Sequence, residues 1–515
     1  MIFFILALGI ALRLAHFLEN CSLWLDEAYV ALHVMGRTFQ EILSGVPLSS
    51  DLPMPPIGFL LIEKLFVSLF GNHEMVLRAF PFLCGVFSLP LFYVFSKRFC
   101  SPVESLLALV FFALADGLVY YSSELKPYAS DVFFALSVYL VTFWVEDNPS
   151  IVLRRIFYMV IGALAVSFSY PSIFILSTTA IILILKNRKD FERLKSYFLI
   201  FEVWAMVFAW WYATAYHALL KNTGFINNSL GSFLPVSLTE AIPWVLQHLG
   251  DFVSMLSLSP AWLFLVLFFI GMGRVCLKSR EHFVLLMGPV ILALIASALQ
   301  KYMFSHRFIL FLSPMILIGV VRGIGFGLEG IKNFKRTTLI KNVILGFVGI
   351  CLVYSIMSFP TRFERYSKEE LRPLMEVVKK EFRAGDVFYV NDQGSYAFLY
   401  YLARLKFPSR PHHFGRIGDL VIEGREQSAI AFRQEFPEFN LQGNFIGGTA
   451  SDLQIVDSPT VNIFGRNSRT WIIFSHHREK AKGRVLEMLR RMGQERGFWK
   501  AKGAEIYFFD LNDGG

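Results

Sequence analysis

Two adjacent carboxylates, Asp26 and Glu27, sit in the stretch Cys21-Ser22-Leu23-Trp24-Leu25-Asp26-Glu27-Ala28-Tyr29, directly after the first apolar segment of the chain. Acids beside a membrane headgroup zone, behind a tryptophan, suit a base that takes the proton of an attacking hydroxyl or a ligand for a divalent cation. A solvated acidic lip on a loop would use the same residues. Other polar residues share their setting. The turn Ser122 to Tyr128 carries Glu124 and Lys126 just before an apolar run, and Arg307 follows another short turn. Asp51 precedes a Pro-Pro pair, and Asp131 lies one turn beyond Tyr128. Each alone has an ordinary explanation: a helix-end pair, a cation snorkelling to the headgroups, a turn acid or a polar helix contact.

The elements that must hold these residues are mostly apolar. Mean hydropathy is +0.51, 55% of residues are hydrophobic and only 17% are charged, which excludes a soluble single-core protein and identifies a polytopic membrane protein. The 54 Phe residues fit lipid-facing helices. The net charge of +9 sits in short clusters between apolar runs, so it reads as topology and not as a nucleic-acid surface. The cysteines, at 21, 84, 100, 276 and 351, have no metal-ligand spacing and imply no disulfide framework. His412-His413 and His476-His477 lack a spaced acidic third ligand, and Gly443 to Gly448 is not a phosphate loop.

Residues 1 to 18 read as an uncleaved first span, and Pro55 to Phe70 as an amphipathic helix along the interface. Apolar runs recur near 76–96, 103–121, 128–145, 154–170, 171–185, 197–216, 257–276, 283–299, 306–328 and 339–359, about eleven spans in all. With a cytoplasmic N-terminus, the inside loops receive Lys97-Arg98, Arg154-Arg155, Lys186 to Lys195, Arg274 to Arg280 and Lys332 to Lys341. That is the bias the positive-inside rule requires, and a shift by one span would destroy it. Asp26 and Glu27, the Ser122 to Tyr128 turn and the 217–256 loop then share the outer face.

The chain divides into a transmembrane domain, 1–359, with a first outside loop over 19–75, and a soluble outer domain, 360–515. In the latter, helical periodicity over Ser367 to Phe382, a strand over Asp386 to Val390 and a helix over Ser395 to Lys406 predict an α/β arrangement. Strands over Thr470 to Phe474 and Ala504 to Phe509 flank a basic helix, Glu479 to Gly493.

Arg13 followed by Ser22 to Ala28 resembles the first-loop signature of the integral-membrane GT-C glycosyltransferases of the family-39 type, relatives of protein O-mannosyltransferases and of the lipid A aminoarabinose transferase. The similarity continues in register. It includes Asp51-Leu-Pro-Met-Pro-Pro-Ile-Gly, Leu69-Phe-Gly-Asn-His-Glu74, Leu77-Arg78 and Tyr120-Tyr-Ser-Ser-Glu-Leu-Lys-Pro-Tyr128. It is dense over 10–145 and thinner later, where Arg307 and the Arg383 to Val387 start of the outer domain also look similar. Met54 departs from the polar residue that many relatives place before the Pro-Pro pair, so any role of that side chain is lost here.

The resemblance implies a polytopic α-helical GT-C fold with a C-terminal α/β extracytoplasmic domain. It also implies an inverting glycosyltransferase of the cytoplasmic membrane that takes a sugar from a polyprenyl-phosphate donor to a lipid, glycan or protein acceptor. Such a donor already carries phosphate as its leaving group, so the site needs a base and cations and no nucleotide pocket. Asp26 is the expected base with Glu27 in support, and Lys126 and Arg307 the expected phosphate-binding cations. Asp51, Glu124 and Tyr128 are supporting residues or, for the acids, ligands of an optional divalent cation. A transporter or lipid flippase would share the composition, but it would place charges near the bilayer midplane on repeated or broken helices. The spans from 197 to 359 are poor in acids, and no internal duplication is visible.

Overall fold

The structure, a computed structural model, describes residues 1–45, 54–148, 151–216, 230–329, 346, 368–383, 386–391, 394–405, 413–417, 468–475 and 479–511. Two compact units divide the chain. The first comprises Met1–Glu19, Phe39–Leu65 and Arg78–Phe363, and the second Asn20–Thr38, Phe66–Leu77 and Glu364–Gly515. The stretch with Asp26 and Glu27 therefore groups with the C-terminal residues and not with the spans that flank it in sequence.

The first unit is helical. Among the described residues, seven helices are long and apolar enough to cross a membrane: Ile2–Glu19, Ala79–Ser96, Tyr128–Asp147, Phe191–Thr214, Ala261–Lys278, Arg280–Ala298 and His306–Gly327. An eighth span results if Pro102–Leu114 and Asp116–Ser123, bent by 56°, are one broken span. The run expected at 171–185 is a shorter apolar helix, Ser172–Asn187, that at 154–170 is the helix Val152–Phe168, and that at 339–359 lies outside the described residues.

The bend has a visible cause. Ala115 takes an extended conformation, which leaves carbonyls near the end of the preceding helix without helical partners, a costly state in an apolar setting. Arg13 answers them: its guanidinium donates to the carbonyls of Ala113 at 3.1 Å and Phe112 at 3.4 Å, and to Gly9 at 3.0 Å in its own helix. Asp116 N–H, just past the break, donates to Ser257 Oγ at 2.9 Å.

Two close approaches fix the neighbouring elements. A Cβ on Gly271 would collide with the Gly319 carbonyl, and one on Gly323 with the Leu267 carbonyl, so the helices Ala261–Lys278 and Ser313–Glu329 meet backbone to backbone. A Cβ on Gly85 would strike Ser122, so the Ser122 to Tyr128 turn presses against the helix Ala79–Ser96.

At one end of the bundle, Arg98 pairs with Asp147 at 2.6 Å, and Lys186 with Glu146 at 2.9 Å and Glu281 at 2.7 Å. These pairs bring together helix ends whose basic clusters were expected on one membrane side. Tyr128 begins the 20-residue helix that Asp147 ends, about 30 Å away at 1.5 Å per residue.

The second unit is built on a five-stranded sheet of order β2-β1-β3-β5-β4, with β1 Val387–Asn391, β2 His413–Ile417, β3 Ser468–Ser475, β4 Gly493–Ala501 and β5 Ala504–Leu511. β1 pairs in parallel with β2 and β3, and β5 antiparallel with β3 and β4. The helix Glu479–Met492 covers one face, where Leu486 and Leu489 pack on Ile472, Phe474, Tyr507 and Phe509. On β3, Trp471 stacks near Phe508 and Trp499, with ring centroids 4.5 and 5.6 Å apart. Buried Asp386 fixes the edge of this cluster: its carboxylate accepts from Trp471 Nε1 and Arg469 Nε, each at 2.8 Å, and from Arg383 N–H at 3.0 Å.

Candidate active site

In the second unit, Asp26 and Glu27 occupy the first turn of the helix Leu25–Gly36. Trp24 precedes it in an extended conformation, and its carbonyl accepts from Glu27 N–H at 3.0 Å and Ala28 N–H at 2.9 Å. Acids in a first turn sit at the positive end of the helix dipole. Both are buried, Asp26 at 9% and Glu27 at 2% exposure, which contradicts the plain solvated lip. Tyr29, one turn on, meets Tyr396 edge to face at 5.5 Å.

His33 is a residue that sequence pattern did not single out. It is enclosed at 2% exposure, and neither ring nitrogen has a hydrogen-bond partner among the described residues. Burial, and then the nearby Arg37 charge, push its pKa down to about 3, so the imidazole is neutral at ordinary pH.

In the first unit, the Ser122 to Tyr128 turn begins as a 3-10 turn, Tyr121–Ser123, and closes with a Lys126 N–H to Glu124 carbonyl bond at 2.7 Å. Glu124 and Lys126 are both buried, the lysine at 5% exposure. A snorkelling lysine keeps its ammonium in water, and this one does not. Arg307 leads the 3-10 segment His306–Leu312, with its guanidinium 5.7 Å from the centre of the Tyr128 ring. That distance suits a cation over an aromatic face.

Tyr128 and Arg307 are thus brought together, and Glu124 and Lys126 share the turn that leads into Tyr128. Asp26 and Glu27 lie in the second unit, and Asp51 lies outside the described residues. Among the described residues no group of three or more His, Cys, Asp or Glu side chains is placed to hold a metal ion. The segment before the Ile57–Phe70 helix is fixed by its backbone: the Met54 carbonyl accepts from Tyr170 Oη at 2.8 Å. A Met side chain at this position leaves that contact unaffected.

Residues 54–212 match the family model of dolichyl-phosphate-mannose-protein mannosyltransferase. A sequence search of curated proteins finds no match. Among solved structures, the chain is similar to ArnT from Cupriavidus metallidurans in the apo state, with a TM-score of 0.59 at 11% identity over 98% of this chain and 97% of that one. The same protein bound to undecaprenyl phosphate gives 0.56 at 12% identity, again over 98% and 97%. The Archaeoglobus fulgidus oligosaccharyltransferase gives 0.53 at 11% identity over 99% of this chain and 73% of that one. This is the GT-C glycosyltransferase fold. The resemblance read from the first loops is borne out by the family match and by the fold. The apolar helices together with this likeness support a multi-pass membrane protein, and the matched stretch contains Glu124, Lys126 and Tyr128.

Proposed function

We propose that this chain is an inverting glycosyltransferase of the cytoplasmic membrane that works at the outer face, moving a sugar from a polyprenyl-phosphate donor to a hydroxyl-bearing lipid, glycan or protein. Asp26 acts as general base and Glu27 supports it. Lys126 and Arg307 bind the leaving phosphate, Tyr128 holds the Arg307 guanidinium, and Glu124 shapes the Lys126 turn. Asp51 is a supporting acid. If a divalent cation takes part, Asp51, Glu124 and Glu27 are the acids that would receive it.

The observation that carries this function is the enclosed Lys126 within the stretch matching the mannosyltransferase family model. A cation held out of bulk water acts strongly on a phosphate that comes within reach, and the departing polyprenyl phosphate is such a group. The related fold that binds undecaprenyl phosphate supports the same donor class. In the chemical step the acceptor oxygen gives its proton to Asp26 and attacks the anomeric carbon from the side opposite the phosphate. The bond to the phosphate oxygen breaks with its electron pair, and the two cations stabilise the developing charge.

The test is transfer by the purified full-length protein in liposomes supplied with a panel of polyprenyl-phosphate sugars and candidate acceptors. Release of polyprenyl phosphate coupled to glycosylated product supports the function. Movement of the lipid-linked sugar across the bilayer without its cleavage would assign a flippase instead.

A further inference from the structure

The five residues before the acidic helix, Asn20 to Trp24, belong to no helix or strand, so their place is set by what they touch within the second unit. Ser22 is enclosed at 4% exposure. Its hydroxyl donates to the Glu370 carboxylate at 2.8 Å, and its backbone N–H lies 3.3 Å from each Glu370 oxygen. The same hydroxyl accepts from Arg372 N–H at 3.1 Å. The Arg372 guanidinium then spans two further points, the Asn20 carbonyl at 2.6 Å and the Glu74 carboxylate at 3.1 Å. Leu23 N–H donates to Tyr401 Oη at 2.7 Å, and the Lys368 ammonium lies 3.3 Å above the Trp24 ring.

The residues that grip this segment are themselves pinned to the sheet. Glu370 N–H donates to the Lys502 carbonyl at 2.8 Å, in the turn between β4 and β5. Gly503 makes that turn at φ +66, and any Cβ there would collide with the Lys368 carbonyl. Glu369 accepts from Ser475 Oγ at 3.1 Å, at the end of β3. Hydrogen bonds therefore run from the β4–β5 turn through Glu370 to Ser22, four residues before Asp26, and Arg372 holds Ser22 and Asn20 from the same stretch.

We propose that Glu370 and Arg372 are positioning residues for the transfer reaction, holding Asn20 to Trp24 so that the Asp26 carboxylate stands where the acceptor hydroxyl arrives. This rests on Asp26 being the base. It gives the C-terminal domain a part in catalysis without contact with the reacting atoms. A displacement of about 1 Å in a reacting group costs on the order of 10²-fold in rate, so loosening the grip acts on turnover and leaves donor affinity in place.

The experiment measures kcat, donor KM and backbone hydrogen exchange for full-length Glu370→Gln and Arg372→Lys, with Asp26→Asn alongside. Glu370→Gln keeps the shape and removes the charge. Arg372→Lys keeps the charge and removes the fork that spans Asn20 and Glu74. The expected result is a fall in kcat of about 10- to 100-fold, donor KM within about 2-fold, faster exchange at the amides of Ser22 to Asp26, and partial recovery of kcat in Glu370→Asp. Should Glu370→Gln fail to fold, Ser22→Ala removes the hydroxyl held between Glu370 and Arg372 and carries the same expectation. Wild-type kcat in folded Glu370→Gln and Arg372→Lys, with Asp26→Asn inactive, overturns the positioning role alone. A fully active Asp26→Asn overturns the choice of base, and the positioning role with it.

Discussion

Lys126→Met removes the ammonium and keeps most of the side-chain volume, so it isolates the charge. A unit charge pair at about 4 Å in a partly screened site is worth about 4 kcal/mol at an effective dielectric constant of about 20. That sets a ceiling near 10³-fold, since each tenfold change in rate is about 1.4 kcal/mol. Arg307, over the Tyr128 ring that follows the same turn, remains to take part of the load, so the expected loss is about 10²-fold in turnover with weaker binding of polyprenyl phosphate. The 5% exposure of Lys126 makes the charge matter: water screens a surface ammonium and would reduce the effect several-fold. The assay is single-turnover transfer in proteoliposomes together with a binding titration of polyprenyl phosphate. Wild-type turnover and unchanged lipid-phosphate affinity in a correctly folded Lys126→Met protein would refute the assignment of this turn to the leaving group.

Three further outcomes follow from the same geometry. Asp386→Ala should lower the stability of the second unit by about 1–3 kcal/mol, because it strands the buried Trp471 donor and removes the partner of the half-buried Arg469 guanidinium; a melt of the full chain followed by Trp fluorescence reads it. The folded His33 pKa of about 3 lies below the unfolded value of 6.5, so the unfolded state binds the extra proton on acidification. Stability from this group is complete above pH 6.5 and declines as pH falls towards 3, and His33→Leu should flatten that part of the melting profile. Reporter fusions after Arg98 and Lys189 should report cytoplasm and a fusion at Gly394 the outside, given the Lys/Arg distribution between loops; a cytoplasmic signal at Gly394 would remove the outer-face location.

What was legible in the sequence was whatever local pattern encodes. The long apolar runs that fall among the described residues are helices, and the strands over Thr470 to Phe474 and Ala504 to Phe509 lie within β3 and β5, because both patterns are decided within a few residues of themselves. The basic helix likewise appears at Glu479–Met492. β4 was missed and partly absorbed into the end of that helix, since Gly493-Gln-Glu-Arg-Gly-Phe-Trp-Lys-Ala lacks alternation and is a strand by virtue of its antiparallel pairing with β5. β2, a parallel partner of β1, is set by long-range pairing in the same way.

Among the candidate site residues, the Asp26-Glu27 pair of one unit and the Glu124 to Tyr128 turn of the other were visible as motifs, but their burial was not. The role of Arg13 depends on carbonyls 99 and 100 residues away, and no sequence window contains both. The same holds for Ser22, which meets Glu370 across 348 residues. Glu370 was expected inside a helix whose observed first residue is Leu371; outside it, the carboxylate is available to the segment that carries the acids.

The central claim is that the Asp26 carboxylate takes the acceptor proton, and Asp26→Asn tests it most directly, since it keeps the shape and removes the basicity. With purified full-length protein, transfer from a polyprenyl-phosphate sugar should fall by about 10²–10⁴-fold, while membrane insertion and polyprenyl-phosphate binding match the wild type. Transfer at the wild-type rate in the Asp26→Asn protein would contradict the account.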